Sequence, residues 1–145
     1  MRNLHEQFGY KEKEYDIKIN LSVGLPDEDT IIVTDGTKLI QVLSNLISNS
    51  LKFTKKGAID FGYILKDNFL EFFVKDTGIG ISSEHIGKIF GRFYQIDSDV
   101  SRQFGGTGLG LSICKAYVEL LGGKIWLDSK PGEGTLFKFT IPYIK

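Results

Sequence analysis

Glycine is unevenly distributed along this 145-residue chain, and three glycine clusters limit the folds that the chain can adopt. Glycine permits positive φ angles and a close approach of the backbone to a ligand. One cluster runs directly into an apolar helical pattern, where free N–H groups and the helix dipole favour phosphate. Three clusters in one small domain favour a ligand site over three separate tight turns. The clusters are Asp76-Thr77-Gly78-Ile79-Gly80, Gly105-Gly106-Thr107-Gly108-Leu109-Gly110 and Gly132-Glu133-Gly134-Thr135.

Two familiar phosphate-binding motifs do not fit these clusters. Residues 105–112 supply the glycine and serine positions of a P-loop, but Leu111 stands at its lysine position. The G-x-G-x-x-G pattern of dinucleotide-binding folds cannot be placed on the glycines, and the sequence lacks the βαβ pattern that precedes it. A phosphate site built from these glycines therefore belongs to a different kind of fold.

Charge and composition narrow the possible partners. Lys and Arg total 18, as do Asp and Glu, and this zero net charge argues against a nucleic-acid partner. Cys114 is the only cysteine, which excludes an intrachain disulfide and a site with several cysteine ligands. No apolar run approaches the ~20 residues of a membrane helix, and no signal-peptide pattern opens the sequence. These features predict one cytoplasmic domain.

Hydrophobic periodicity predicts an α+β protein in which helices cover one sheet. Residues 1–14 predict a short amphipathic segment that leads into the domain. A helix over residues 38–53 has Asp35 or Thr37 as its N-cap. The predicted strands are 15–23, 30–34, 58–65, 69–75, 124–128 and 135–141, and the further predicted helices are 83–93 and 109–121.

Asp76 ends an apolar strand pattern two residues before Gly78. It could start a turn through an Asx hydrogen bond, or it could accept a hydrogen bond from a ligand. An ionised carboxylate only accepts hydrogen bonds. A ligand role would therefore favour adenine, whose exocyclic amine donates, over guanine.

Three polar residues, Asn45, Asn49 and Lys52, lie at positions i, i+4 and i+7 of the helix over residues 38–53. Asparagine is a mediocre helix former, so two of them in mid-helix need a reason. One interpretation is a solvated helix face. The other is a phosphate site, in which an amide oxygen binds Mg²⁺ and the lysine contacts phosphate.

These segments together resemble the ATP-binding domain of sensor histidine kinases. That domain is one branch of the Bergerat-fold family, which also contains type II topoisomerase, mismatch-repair and heat-shock chaperone ATPases. Five short motifs of that family, called boxes, have counterparts here that occur in family order and span most of the chain. Residues 41–54 resemble the N box, 76–81 the first glycine box, 89–95 the F box, 105–111 the second glycine box and 132–135 the third.

The resemblance implies an α/β sandwich with the Bergerat fold. One mixed, mostly antiparallel sheet would be faced on one side by about three helices, with a mobile ATP lid at about residues 82–107. Residues 15–145 would form the catalytic ATP-binding domain. Residues 1–14 would join it to a dimerisation hairpin outside this chain.

The resemblance also implies ATP and Mg²⁺ as cofactors and gives each box a role. Asn49 would coordinate Mg²⁺, with Asn45 and Lys52 assisting at the phosphates, and these three form the predicted catalytic group. Asp76 would bind the adenine amino group, with Thr135 contacting the base through water. Phe90 and Phe93 would anchor the lid, and Arg92 and Arg102 could reach the γ-phosphate. The other predicted ATP-binding residues are Phe53, Gly78, Gly80, Ile81, Gly106, Thr107, Gly108, Leu109, Gly110 and Leu111.

Hydrolysing members of the family carry a glutamate four residues before the metal-binding asparagine, where this chain has Asn45. The resemblance therefore implies transfer of the γ-phosphoryl group to a histidine on a dimerisation and phosphoacceptor domain outside this chain. A response regulator or receiver domain would be an indirect partner. His5 and His85 are predicted to be plain surface residues. Gln95 stands where many family members have arginine, which removes one phosphate contact and is frequent in hybrid kinases.

The resemblance extends to assembly and leaves two alternatives open. The isolated domain is expected to be a monomer and its parent a homodimer. A membrane-anchored parent would keep this domain on the cytoplasmic side. The alternatives are an anti-sigma-type serine kinase and a nucleotide-sensing module without turnover, both from the same superfamily.

Overall fold

A five-stranded mixed sheet forms the centre of the protein. The computed structural model describes residues 1–96 and 108–145. The strands are β1 (Ile17–Val23), β2 (Gly57–Lys66), β3 (Phe69–Asp76), β4 (Ile125–Lys130) and β5 (Gly134–Pro142). Their order in the sheet is β1-β2-β3-β5-β4; β1 and β2 are parallel, and the other neighbouring strands in the sheet are antiparallel.

The two long helices of the described chain pack against each other and against the sheet. They are α3 (Gly36–Phe53) and α5 (Gly110–Leu120). The shorter helices α1 (Arg2–Gly9) and α2 (Lys11–Tyr15) contact strand β1, and the described chain also contains α4 (Ser83–Ile86) and a 3₁₀ turn at Asp27–Asp29. In the described residues, none of the helices is long and apolar enough to cross a membrane.

Alternation along the strands decides which sheet face the helices cover. In β3, the side chains of Leu70, Phe72 and Val74 are buried towards the helices. The Phe72 ring stacks on Phe139 of β5, with ring centroids 4.9 Å apart. Helix α3 contributes a buried face that includes Leu46. The core therefore lies between this sheet face and the two long helices.

The predicted α+β class and the mixed, mostly antiparallel sheet are confirmed. The predicted strand over residues 30–34 is wrong. This segment is irregular, and Ile31 is 79% exposed. Its β-branched residues favour an extended backbone, but a strand needs a ladder of partners. Here Val33 N–H donates to Ile144 O, and the chain then turns into α3.

The predicted helix over residues 83–93 is also too long. Helix α4 ends at Ile86, with Gly87 as its C-cap, and turns follow. Phe93 has a φ of +60°, which a right-handed helix does not accommodate. The rest of the predicted lid extends to residue 107 and lies partly outside the described residues.

The first residues form helices that pack on the sheet. Leu4 and Phe8 of α1 are buried in the core, and α1 and α2 contact β1. The domain boundary between residues 14 and 15 stays a prediction.

Candidate nucleotide site

A cavity of about 490 Å³ opens where β3 and α3 end and α5 begins. Its volume lies within the range of small-molecule sites, about 300–1,000 Å³. Parts of all three glycine clusters meet here with the end of the predicted N box. The described wall consists of Asn49, Lys52, Phe53, Asp76, Ile79, Gly80, Ile81, Ser82, His85, Ile89, Tyr94, Gln95, Ile96, Gly108, Gly110, Leu111, Pro131, Thr135 and Phe137.

Not every predicted ATP-binding residue reaches this wall. Ten do: Asn49, Lys52, Phe53, Asp76, Gly80, Ile81, Gly108, Gly110, Leu111 and Thr135. Four described ones, Asn45, Gly78, Phe93 and Leu109, are not part of it. Arg102, Gly106 and Thr107 lie outside the described residues.

Helix α3 carries the predicted metal and phosphate residues to the cavity. Its N-terminus is fixed by Asp35, whose carboxylate accepts from Lys38 N–H at 3.1 Å. Its last turn places Asn49 and Lys52 in the wall. Asn45 lies one turn earlier, where its Oδ1 accepts from Gln41 Nε2 at 3.2 Å.

Asp76 is buried at the end of β3, with 5% of its surface exposed. Its Oδ1 accepts from Gly78 N–H at 2.9 Å and from Thr135 N–H at 3.3 Å, and its Oδ2 accepts from Ser50 Oγ at 3.0 Å. Burial raises the pKa of this carboxyl, while the hydrogen bonds from Gly78, Ser50 and Thr135 oppose the rise. The Asx turn suggested by the sequence is therefore present, and the same side chain also lines the cavity.

The first glycine cluster interlocks with the turn between β4 and β5. Gly80 has a φ of +73°, and a Cβ there would lie 2.0 Å from Lys130 O, so only glycine fits. Gly132 N–H donates to Ile79 O at 2.7 Å. The first and third clusters thus form one continuous part of the wall.

The F box meets the second glycine cluster at Phe93. Phe93 N–H donates to Gly108 O at 3.0 Å, and Gly108 has a φ of +72°. The Phe93 side chain is 72% exposed. Phe90, by contrast, packs edge-on against Phe137, with centroids 6.3 Å apart. Arg92 is exposed and does not line the cavity.

Both described histidines differ from the sequence expectation of plain surface residues. His5 Nε2 is hydrogen-bonded with Ile19 O at 2.8 Å. The His85 side chain is only 28% exposed and lies in the cavity wall. Its Nδ1 is hydrogen-bonded with Tyr94 Oη at 2.5 Å.

Sequence reasoning also missed two serines behind the wall. Ser50 lies on the buried face of α3, and its hydroxyl donates to Asp76. Ser129 contacts Ile81 and Thr135. A signal was present for Ser129, because strand alternation places it on the same face as Leu127, which is buried.

The family of the chain follows from comparison with known proteins. The family model described as histidine kinase-, DNA gyrase B-, and HSP90-like ATPase matches residues 34–145. The match covers most of the chain, which therefore belongs to this family.

Within the family, the chain is homologous to sensor histidine kinases. It is 45% identical over 122 residues to sensor histidine kinase WalK of Bacillus subtilis, covering 82% of this chain and 20% of WalK. It is 40% identical over 117 residues to sensor histidine kinase RcsC of Escherichia coli, covering 81% of this chain and 12% of RcsC. The chain thus spans about a fifth or less of the length of these relatives.

Solved structures show the same fold. Full-length ShkA in complex with AMPPNP matches 99% of this chain and 29% of its own length, with a TM-score of 0.85 and 29% identity. The nucleotide-free catalytic domain of histidine kinase ThkA matches 99% of this chain and 92% of its own, with a TM-score of 0.82 and 30% identity.

Proposed function

We propose that this chain is the catalytic ATP-binding domain of a sensor histidine kinase. It binds Mg-ATP and donates the γ-phosphoryl group to a histidine on a dimerisation and phosphoacceptor domain outside this chain. The observation that carries the proposal is the cavity in which Asn49, Asp76 and the glycine turns meet. The AMPPNP complex of ShkA supports a nucleotide as the ligand of this fold.

The base end of the cavity is the corner around Asp76. Its buried carboxylate accepts hydrogen bonds only, so it pairs with the exocyclic amine of adenine. Ile81 and Phe137 add apolar wall, and Phe53 lies at the end of α3. This combination of one oriented acceptor and apolar surface suits a purine ring.

The phosphate end is the junction of α3 and α5. Gly108, Gly110 and Leu111 stand in the wall at the N-terminus of the eleven-residue helix α5. Backbone N–H groups and the helix dipole favour anions at such a terminus. Lys52 adds a cation from α3. The triphosphate therefore belongs at this end.

The residues present also fit Mg²⁺. Mg²⁺ prefers few protein ligands, combined with phosphate oxygens and waters. Asn49 offers an amide oxygen in the wall, and the described residues contain no cluster of three or more His, Cys, Asp or Glu. When bound, the ion would neutralise phosphate charge. Asn49 would be its ligand from this chain.

The absence of a glutamate at position 45 favours transfer over hydrolysis. An amide does not take a proton from water, and the Asn45 amide is hydrogen-bonded to Gln41. His85 also lines the described wall, where its Nδ1 is hydrogen-bonded with Tyr94 Oη and its Nε2 lies 3.4 Å from Glu84 Oε1. Phosphoryl transfer depends mainly on positioning and charge neutralisation. A neutral imidazole nitrogen from the partner domain would attack the γ-phosphorus, the bond to the β–γ bridging oxygen would break, and ADP would leave.

The test is phosphoryl transfer in trans. The domain is mixed with γ-labelled Mg-ATP and a separate histidine-bearing hairpin domain from a related sensor kinase or from the parent. We expect acid-labile label on the hairpin, and none when its histidine is replaced by glutamine. The Asn49→Ala variant should lose transfer while remaining folded.

Other outcomes would replace the proposal. Acid-stable label on a partner serine would indicate a serine kinase of the anti-sigma type. ATP binding with no transfer to the cognate hairpin would indicate a nucleotide-sensing module.

The proposal also includes the oligomeric state. Sedimentation should show a monomer for this domain alone, with dimerisation supplied by the hairpin of the parent.

A further inference from the structure

A polar row crosses the helix-facing side of the sheet behind the cavity. Asp76 of β3 pairs with Thr135 of β5, and Thr135 pairs with Ser129 of β4. Asp76 and Thr135 line the cavity, whereas Ser129 is not part of the described wall. The next row on this face is apolar, with Val74, Phe137 and Leu127. The polar row is therefore confined to the cavity edge of the sheet.

The Ser129 hydroxyl has three partners. Ile81 N–H donates to its oxygen at 2.7 Å, and the hydroxyl donates to Gly134 O at 2.9 Å. Thr135 Oγ1 lies 2.8 Å from the same oxygen. A serine hydroxyl has one proton and two lone pairs. Since Ile81 N–H can only donate and Gly134 O can only accept, all three contacts are satisfied in one arrangement, in which Thr135 donates to Ser129.

This arrangement fixes the polarity of Thr135 towards the cavity. Its single proton points at Ser129, so only lone pairs of Thr135 Oγ1 remain for a ligand. Asp76 presents a carboxylate at the neighbouring position. This corner of the cavity therefore offers acceptors from two adjacent strands and no hydroxyl donor from Thr135.

We propose that Ser129 is a positioning residue that holds Thr135 as a hydrogen-bond acceptor and thereby makes the site select 6-aminopurine over 6-oxopurine nucleotides. The proposal rests on the proposed function, since it concerns the base end of the same cavity. The amine of adenine donates towards this corner, whereas the 6-oxo group of hypoxanthine would face acceptors. A bridging water obeys the same rule: it donates to Thr135, and its second proton suits N1 of adenine, which accepts, but not N1–H of hypoxanthine.

The test compares the affinities for Mg-ATP and Mg-ITP by calorimetry. The wild-type protein should prefer ATP. In Ser129→Ala the Thr135 proton is free to turn into the cavity, so the preference for ATP over ITP should narrow about three- to tenfold, the range of one hydrogen bond. The affinities for ATP and for ITP can both fall because the contact with Ile81 is lost. The ratio of the two affinities removes this shared loss and reports the polarity of Thr135.

A matched pair separates polarity from packing. Ser129→Thr keeps the hydroxyl. Ser129→Val has the same shape as the Thr variant but carries a methyl in place of the hydroxyl, and both side chains favour strands. The Thr variant should keep the wild-type ratio and the Val variant should narrow it. In a Thr135→Val background, Ser129→Ala should leave the ratio unchanged. Because Ser129→Thr and Ser129→Val are compared with each other, they keep the test decisive should Ser129→Ala fail to fold.

The outcomes distinguish the two proposals. A folded wild-type protein that binds no ATP overturns the proposed function and, with it, the role of Ser129. A wild-type preference for ATP that stays the same in Ser129→Val overturns the role of Ser129 alone. The role of Ser129 is also overturned if Ser129→Ala narrows the preference for ATP over ITP equally in the wild-type and the Thr135→Val backgrounds.

Discussion

The substitution Asp76→Asn tests how the base would be recognised. The amide oxygen of the variant can still accept from Gly78 and Thr135 N–H, which the Asp76 Oδ1 atom does at 2.9 and 3.3 Å. The amide nitrogen then replaces Oδ2, and Ser50 can turn its hydroxyl to accept from it. The local hydrogen bonds therefore survive. What changes is the group offered to adenine, because a donor now faces the exocyclic amine.

The expected loss is that of one charged hydrogen bond in a buried site, about 1–3 kcal/mol. This corresponds to about a 5- to 150-fold weaker affinity for ATP. Calorimetry should also compare ATP with purine riboside triphosphate, which lacks the amine: the wild-type protein should discriminate between them and the variant should not. Asp128→Asn, at an exposed position on β4, is the matched control and should bind ATP normally. Unchanged ATP affinity in Asp76→Asn would refute the reasoning.

The same variant has an expected pH signature in stability. Burial raises the pKa of Asp76 above its ordinary value of 3.8, against the opposing hydrogen bonds of Gly78, Ser50 and Thr135. An acid with a raised pKa in the folded state is harder to ionise there, so the folded state loses stability as pH rises through that pKa. The neutral Asn variant has no such loss. Urea unfolding between pH 3 and 7 should show its free energy of unfolding rising relative to wild type with pH; a fall would contradict the electrostatic argument.

Three further predictions concern the metal, the glycine turn and the thiol. Asn49→Ala should abolish the Mg²⁺ dependence of ATP affinity in calorimetry, and a wild-type metal response would rule out Asn49 as ligand. Gly80→Ala should lower the free energy of unfolding by more than about 1–2 kcal/mol, because its φ is +73° and its Cβ would meet Lys130 O. Gly36→Ala, whose Cβ meets open space, should show no such loss. Burial raises the pKa of Cys114 to about 12, so Ellman's reagent at pH 8 should react only after unfolding, and rapid reaction of the folded protein would contradict its burial.

The elements that the sequence predicted well are those with local signals. Helix α3 begins within two residues of its predicted start, because Asp35 supplies an N-cap and a broad apolar stripe follows. The strands predicted over residues 58–65 and 69–75 correspond to β2 and β3, which pair as an antiparallel hairpin, because both alternations lie within 20 residues of sequence. The strand predicted over residues 30–34 is wrong because its composition favours a strand locally, whereas a strand also needs pairing partners that no local pattern reveals.

The residues of the candidate site also differ in whether the sequence identifies them. Asp76, Asn49 and Thr135 stand in recognisable boxes, so family resemblance named them, and the structure places all three in one cavity wall. Ser50 and Ser129 stand in no predicted role, because a serine suits a surface or a buried polar contact equally. Their contacts depend on sheet register and helix packing: Ser50 meets Asp76 from 26 residues away, and Ser129 meets Ile81 from 48. Strand alternation indicates that Ser129 lies on the same face as Leu127, but the hydrogen-bond partners of both serines become visible only when donors and acceptors are counted in three dimensions.

The two ends of the cavity are built from different kinds of element, and this has a chemical consequence. The proposed base end consists of strand termini, where the β3–β5–β4 ladder and the polar row of Asp76, Thr135 and Ser129 hold each acceptor in a fixed direction. The proposed phosphate end combines the N-terminus of α5, whose backbone N–H groups suit an anion, with Lys52 from the last turn of α3. Fixed acceptors discriminate between bases, whereas the positive dipole end of α5 and the charge of Lys52 favour phosphate whatever base it carries. Under the proposed function, selectivity for adenine and stabilisation of the transferring phosphoryl group therefore rest on separate residues, although both lie in one cavity of a chain with no net charge.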